Sequence, residues 1–264
     1  MENKNQPRQV LPKVVLLAYS KLNGDENPEK IVAAAAKLCY SNSNVSSILD
    51  DLTDENTSKF IKMLSSIGHG SPFEHISFTF GIEGISRTCS HQIVRHRIAS
   101  YSQQSQRYVD LENSFSFIMP EQIRGNIKAE ELYLSSISKD YDNYKNITLL
   151  LAQENLKNGM NKKDATKKAL EDARFALPNA CETKMVMTMN ARSLMNFFRE
   201  RCCNRAQWEI REVANQMLDL VLEVAPNIFS KAGAPCVYGS CKEGKMSCGD
   251  KQKPRVKQLE YNGK

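Results

Sequence analysis

RHRIASYSQQSQRY, Arg95 to Tyr108, lies inside a stretch of 26 residues between Glu83 and Asp110 that carries no carboxylate. Within that stretch stand Arg87, Arg95, Arg97 and Arg107 with His91 and His96, and the neutral donors Gln92, Ser100, Ser102, Gln103, Gln104, Ser105 and Gln106. Guanidinium groups with no acid to neutralise them repel one another, so the segment wants an anion. Forked cations beside amide and hydroxyl donors suit a phosphate or the edge of a base. The bland alternative is an exposed basic face with solvated Arg side chains.

Working outward, HGSPFEH (69–75) reads as a loop by its Gly and Pro, and HISFTFGI (75–82) alternates well enough for a half-buried strand. Ser86 to Val94 reads as a helix leading into RHR. On the N-terminal side, Val14 to Ala18 suits a strand, Asn27-Pro28 starts a helix through EKIVAAAAKLCY, and Glu55 to Ile67 is a helix ended by Gly68. On the C-terminal side, Ala129 to Lys157 reads as one or two long helices with Leu132, Leu134, Ile137, Tyr141, Ile147, Leu150 and Leu151 apolar. Lys163 to Leu177 is a helix that stops at Pro178. Ala191 to Cys203 and Arg205 to Val224 are two further helices or one bent one, with Leu194, Met195, Phe197 and Phe198 and then Trp208, Met217, Leu218, Val221 and Leu222 inward.

This helix-dominated pattern, without internal repeats, predicts one α+β domain over residues 13–230. Residues 1–12 are expected to be disordered, and 231–264 to form a loosely attached tail containing Cys, Lys and Gly. The 264 residues are 41% apolar and 25% charged, ordinary for a globular chain, and the net charge of +6 is too mild to name a partner. No stretch approaches the roughly 18 apolar residues of a membrane span, and MENKNQPRQVLPK is too polar for a signal-peptide core. The expectation is a cytoplasmic protein without a membrane partner. Eight scattered cysteines then read as free thiols. Cys236, Cys241 and Cys248 lie close in sequence, yet without a nearby His or a CxxC pair, so no metal site is assigned.

A second polar concentration runs through NARSLMNFFRERCCNRAQW (190–208), with Asn190, Arg192, Asn196, Arg199, Arg201 and Arg205. Arg192 and Asn196 share a helical face. Arg201 and Arg205 are also four apart, a like-charged spacing unfavourable by roughly a few tenths of a kcal/mol on a helix unless Glu200, Glu209 or a ligand anion offsets it.

RHRIASYSQQS resembles the RHR-x7-S signature of the flavin-dependent thymidylate synthases, with Arg95, His96, Arg97 and Ser105 in place. GHGSPFEH before it and NARSLMNF…AQWEIR after it resemble family segments in the same order, so the likeness spans about Val14 to Ala225. The resemblance implies a mainly antiparallel sheet with several long helices, and a homotetramer with active sites between subunits. It implies binding of FAD, dUMP, methylenetetrahydrofolate and NADPH, with dTMP as product. Carried over, Ser71, Glu74, Arg95, His96, Arg97, Gln103, Asn190, Arg192 and Asn196 contact FAD. Gln92, Arg95, Gln103, Gln104, Ser105, Gln106, Arg107 and Arg174 hold dUMP, and Arg201 lies against the uracil as the catalytic residue.

Two rival readings stand beside this one. A nucleic-acid-binding protein would use the Arg- and Tyr-bearing stretch for backbone contact and stacking, but its cations more often form exposed stripes or arms. A non-catalytic nucleotide-binding protein would keep the site without turnover. Pro235-Cys236 imitates the nucleophile of the other, cysteine-dependent thymidylate synthases, but lies far in sequence from every Arg cluster. His69 and His75 flank Glu74 like metal ligands, yet hydrogen bonds that order the loop explain them more simply.

Overall fold

The structure, a computed structural model, describes residues 6–111 and 115–262. Strands β1 (Arg8–Gln9) and β2 (Lys13–Tyr19) precede helices α1 (Lys30–Leu38), α2 (Val45–Asp50) and α3 (Asp54–Ile67). A 3-10 turn over Ser71–His75 leads to β3 (Ser77–Ser86), α4 (Arg87–Ile93), β4 (Ser100–Gln103) and β5 (Ser116–Phe117). Helices α5 (Glu121–Arg124), α6 (Ile127–Lys157) and α7 (Lys162–Ala173) follow, then β6 (Glu182–Asn190), α8 (Ala191–Arg201), α9 (Trp208–Val224) and α10 (Val256–Asn262). The expected α+β class holds: an antiparallel four-stranded sheet has the order β2-β3-β6-β4, and β1 pairs in parallel with β5.

The chain divides into two compact units that the reading of a single domain over 13–230 does not foresee. One comprises Met1–Lys13, Glu83–Ile93 and Ser102–Met185; the other comprises Val14–Ile82, Val94–Tyr101 and Val186–Lys264. Strands β3, β4 and β6 each carry the chain from one unit to the other.

In the first unit α6 packs on α7, and the core gathers Phe115, Phe117, Met119, Ile137, Tyr141, Tyr144 and Leu170. The Phe115 and Tyr141 rings stack at 5.1 Å. Of the apolar residues named on α6, Ile137 and Tyr141 are buried while Leu132, Leu134, Ile147 and Leu150 are exposed. In the second unit β3 buries Phe78 and Phe80 on alternate positions, as the period-2 reading requires. Phe229 meets Phe78 at 5.4 Å and Phe198 at 5.8 Å, both edge-on, so strand, helix α8 and the segment after α9 share one aromatic cluster.

The structure corrects several expectations. Disorder over 1–12 fails at Arg8–Gln9, whose backbone pairs with Ser116 and Phe117; residues 1–5 lie outside the described ones. The segment after Lys231 is not loose, because Gln258 is buried and donates to the carbonyls of Phe229 at 3.1 Å and Ala232 at 2.9 Å. Arg255 Nη1 donates to both carboxylate oxygens of Asp219, at 2.6 and 2.7 Å, and Nη2 donates to Asn215 Oδ1 at 2.8 Å. The Gly and Lys content of this segment masks side-chain anchors that composition does not register. Strand β6 escapes the sequence reading because its inward residues are Thr183, Met185, Met187 and Met189, and Met favours helix when read alone. Edge strand β4 is short and polar, and α2 carries no signal strong enough to stand out.

Gly84, inside β3, has a φ of 68°, and a Cβ built there would lie 1.9 Å from the carbonyl oxygen of Leu11. Both the left-handed backbone and the close approach demand glycine. Gly84→Ala is expected to destabilise the protein by at least about 2 kcal/mol, measured as a drop in the urea midpoint with an unchanged m-value.

Candidate active site

Helix α8 organises the second unit's site. Asn190 caps it by accepting from Ser193 N at 2.9 Å, and Ala191 N donates to the Ile76 carbonyl at 2.9 Å, so β3 and β6 fix where the helix begins. Leu194, Phe197 and Phe198 are buried on one face. Arg192, Ser193, Asn196 and Glu200 share the opposite face and line a cleft of about 780 Å³. The helix ends at Arg201, and Cys202 to Ala206 turn away from it. Arg201 and Arg205 are therefore not a like-charged pair on one helix, a correction to the sequence reading.

Arg95 to Ala99 form the loop between α4 and β4, and Arg95, His96, Arg97 and Ile98 enter the same cleft. Arg201 Nε donates to His96 Nε2 at 3.0 Å. An Arg Nε–H is always a donor, so Nε2 must be unprotonated and the ring's proton must sit on Nδ1. His96 also stands edge-on to Phe197 at 4.8 Å, and its carbonyl accepts from Tyr101 Oη at 2.7 Å, which closes the loop on itself. Burial, and secondly the charge of Arg201, hold the His96 pKa below its ordinary 6.5, with Glu200 opposing. Burial pushes the Tyr101 hydroxyl up to about 12, so it stays a donor at any working pH.

Glu74, at the end of the 3-10 turn, pairs with Arg192 Nη1. The Arg192 side chain lies over Gly70, where an added Cβ would come within 3.3 Å of Nε. Ser71 Oγ meets His69 Nε2 at 3.1 Å, and His69 Nδ1 meets Tyr40 Oη at 2.9 Å. His69 thus orders its loop through hydrogen bonds. Asn196 is shared between Arg199, which donates to its Oδ1, and Glu200, which accepts from its Nδ2 at 3.3 Å. In all, four guanidinium groups, of Arg95, Arg97, Arg192 and Arg201, face the cleft against the two carboxylates of Glu74 and Glu200.

The remaining residues that the resemblance assigns to FAD or dUMP belong to the first unit. Gln103 Nε2 donates to Thr183 Oγ1 at 3.1 Å, Ser105 Oγ accepts from Arg107 N at 3.1 Å, and Arg107 pairs with Glu171 at 2.9 Å. Gln92 is half-buried on α4, Gln104 N donates to the Lys184 carbonyl at 2.8 Å, and Gln106 is exposed in the following turn. Arg174 is nine-tenths buried, and its Nε and Nη2 have no hydrogen-bond partner among the described residues. Arg87 lies near enough to Arg174 for their charges to oppose each other, and burial with that charge lowers the Arg87 pKa.

Sequence reading misses Ile98, Met189, Ser193 and Glu200 as cleft residues and Thr183 as the hydroxyl that meets Gln103. Glu200 alone leaves a signal, one helical turn beyond Asn196. Among the described residues, no three His, Cys, Asp or Glu side chains are gathered closely enough to hold a metal ion together.

An α+β fold whose cleft is lined by four Arg side chains suits an anionic ligand. A family model described as thymidylate synthase complementing protein matches residues 16–227. A flavin-dependent thymidylate synthase of Clostridium tetani is 54% identical over 237 residues, covering 90% of this chain and 93% of that protein. One from Geobacter sulfurreducens is 45% identical over 238 residues, with coverage of 90% and 94%. A UMP/dUMP methylase from Streptomyces cacaoi, solved with 5-Br dUMP, superposes with a TM-score of 0.63 at 24% identity, covering 86% of this chain and 98% of the other; it shares the fold. The chain belongs to the flavin-dependent thymidylate synthase family, and it is an enzyme of the methyltransferase class.

Because the folded state holds the His96 pKa below 6.5, the unfolded chain binds more protons in the window between the lowered value and 6.5. Stability therefore rises with pH through that window, and the contribution is complete above it. His96→Gln, which keeps an acceptor for Arg201 without titrating, is expected to flatten this slope in urea titrations at a series of pH values. An unchanged slope would show that His96 is not the titrating group.

Proposed function

We propose that this enzyme converts dUMP to dTMP by reductive methylation, with methylenetetrahydrofolate as carbon donor, FAD as the flavin and NADPH as reductant. The observation that carries the reading is the contact of Arg201 with neutral His96 in a cleft where four guanidinium groups meet two carboxylates. That excess of positive charge suits a diphosphate, and Ile98 and Met189 offer apolar surface to an aromatic ring system. In this reading Ser71, Glu74, Arg95, His96, Arg97, Gln103, Asn190, Arg192 and Asn196 hold FAD. Reduced flavin, when bound, supplies the hydride that completes the methyl group, and NADPH restores it.

Gln92, Arg95, Gln103, Gln104, Ser105, Gln106, Arg107 and Arg174 would hold dUMP. The structural neighbour solved with a dUMP analogue supports that substrate. Arg107 is tied to Glu171 only through an exposed pair, worth roughly 0–1 kcal/mol, so a phosphate can displace the carboxylate. Arg174 offers two buried donor atoms that lack partners among the described residues. Arg201 would then lie against the uracil. Carbon 5 becomes a better nucleophile when negative charge on the N3 and O4 side is stabilised, and a guanidinium does this without any change of protonation. Exposed Ile127, Leu132, Leu149 and Leu150 along α6 support assembly, in keeping with a homotetramer. No helix among the described residues is long and apolar enough to cross a membrane.

The test is the visible spectrum of purified protein with added FAD, then NADPH oxidation with and without dUMP. Flavin uptake and dUMP-dependent turnover are expected, whereas protein that takes up no flavin overturns the reading. Arg201→Ala should stay yellow yet lose dTMP formation by at least roughly 100-fold, and wild-type turnover would contradict its role.

Arg174→Met separates binding from folding. Removing a buried charge with unpaired donors is expected to leave stability unchanged or raised by about 1 kcal/mol. The same change should raise the KM for dUMP by roughly 10-fold or more. A destabilised protein with an unchanged KM would mark Arg174 as structural.

A further inference from the structure

We propose that Arg87, a residue outside the set that the resemblance assigns to dUMP, works with Arg174 as a clamp on the phosphate, so that the site selects the nucleotide over its free nucleoside. The inference rests on dUMP being the substrate and adds to that reading a residue that recognises its anionic end. Both arginines belong to the first unit, and the backbone brings them together. Arg174 stands in the turn after α7, where its carbonyl accepts from Leu177 N at 3.1 Å, and Cys181 N donates to the Pro178 carbonyl at 3.0 Å just ahead of β6. Arg87 opens α4, where its N donates to the Cys181 carbonyl at 3.1 Å and Thr88 N donates to the Asn179 carbonyl at 3.4 Å. The start of α4 is thus laced to the segment that leads from Arg174 into β6.

Neither guanidinium is well matched where it stands. Arg174 keeps Nε and Nη2 buried and unpartnered among the described residues. Arg87 is half-buried, and its Nη1 reaches Thr183 Oγ1 at 3.5 Å, an oxygen that also accepts from Gln103 Nε2 at 3.1 Å. So long a contact with a neutral hydroxyl satisfies little of a fork with several N–H donors. Burial lowers the Arg87 pKa and the charge of Arg174 lowers it further, while the Cys181 thiol acts the other way. That thiol is no counter-ion. Burial pushes it up to about 11, and its Sγ donates to the Glu182 carbonyl at 3.6 Å, so it stays protonated and neutral.

Two guanidiniums drawn partly out of water within reach of each other's charge disfavour the folded state, and one dianion reverses the sign of that interaction. A phosphate monoester carries about −1.5 to −2 charges at neutral pH and three acceptor oxygens, enough to serve both forks. A carboxylate or a phosphodiester brings a single charge and leaves one arginine unmatched. The hydroxyl of Thr183 sets Arg87 beside Gln103, a residue of the proposed dUMP set, so the added cation stands next to groups already given to that ligand.

The experiment is calorimetric titration of the full-length protein, with FAD added, by dUMP and by deoxyuridine. It is run on wild type, Arg87→Met, Arg87→Lys, Arg174→Met and the double Met variant, with urea unfolding of each. Wild type is expected to bind dUMP at least roughly 100-fold more tightly than deoxyuridine. Arg87→Met should weaken dUMP binding by roughly 10-fold or more, leave deoxyuridine binding unchanged, and keep or raise the urea midpoint because a like-charge contact is gone. Arg87→Lys keeps the charge without the fork, so its loss should be smaller, and it carries the test if the Met variant does not fold. Because both arginines serve one phosphate, the double variant should lose less than the product of the two single losses. Wild-type dUMP affinity in the Arg87 variants overturns the proposal, as does an equal loss for dUMP and deoxyuridine, which would mark Arg87 as structural. Losses that multiply independently overturn the shared clamp. Wild-type protein that binds no dUMP overturns the substrate reading and this proposal together, so the two failures are told apart.

Discussion

The second unit's site depends on one hydrogen bond, from the Nε of Arg201 to the Nε2 of His96. A cation donating to an imidazole is stable only while the ring is neutral, so the bond imposes a protonation state as well as a position. Burial of His96 against Phe197 keeps the ring in that state. The bond uses the inner nitrogen of the guanidinium and leaves the two terminal nitrogens uncommitted among the described residues. Arg201 is thereby held by its stem with its fork presented, the geometry that bidentate recognition of a planar, electron-rich edge requires.

On the Arg201 side, what holds this bond in place is local to α8 and to what α8 rests on. The Asn190 cap and the bond from Ala191 N to Ile76 set the start of the helix, and the buried Leu194, Phe197 and Phe198 set its rotation. With start and rotation fixed, Arg192, Asn196 and Glu200 fall one turn apart along the cleft, and Arg201 follows at the last turn, where a cation also suits the helix dipole. On the other side Tyr101 pins the His96 carbonyl. Two rigid supports converge on one imidazole, and a loop of consecutive Arg, His and Arg residues acquires a defined conformation.

The longer helices were legible because their signals are local and redundant, while the short α2, α5 and α10 were not. Gly68 with φ 72° ends α3, as a glycine stop should, and the apolar face of α8 is the one its 3.6-residue period gives. The Arg, His and Asn residues of the cleft were legible too, since a run without carboxylates and a helix rich in Arg and Asn carry their chemistry in composition, whereas Ile98, Met189, Ser193 and Glu200 were not. Strand β6 was not, because Met185, Met187 and Met189 alternate like strand residues but are helix formers by type, and only the neighbouring strands decide the conflict. The anchoring of the C-terminal segment was equally hidden. Gln258 and Arg255 look like solvated side chains until the carbonyls and the carboxylate they meet are brought to them by the fold.

The division of the Arg residues into paired and unpaired ones carries the argument about ligands further than their number does. Arg192 with Glu74 and Arg107 with Glu171 are exposed pairs that add little to stability and yield their carboxylates to a better anion at small cost. Arg174 is the opposite case. Its Nε and Nη2 have given up water without gaining a partner among the described residues, a state that lowers the stability of the folded protein. In the proposed function the phosphate of dUMP completes it. The cost would then be met at binding, with the position of the ligand's anionic group set before the ligand arrives.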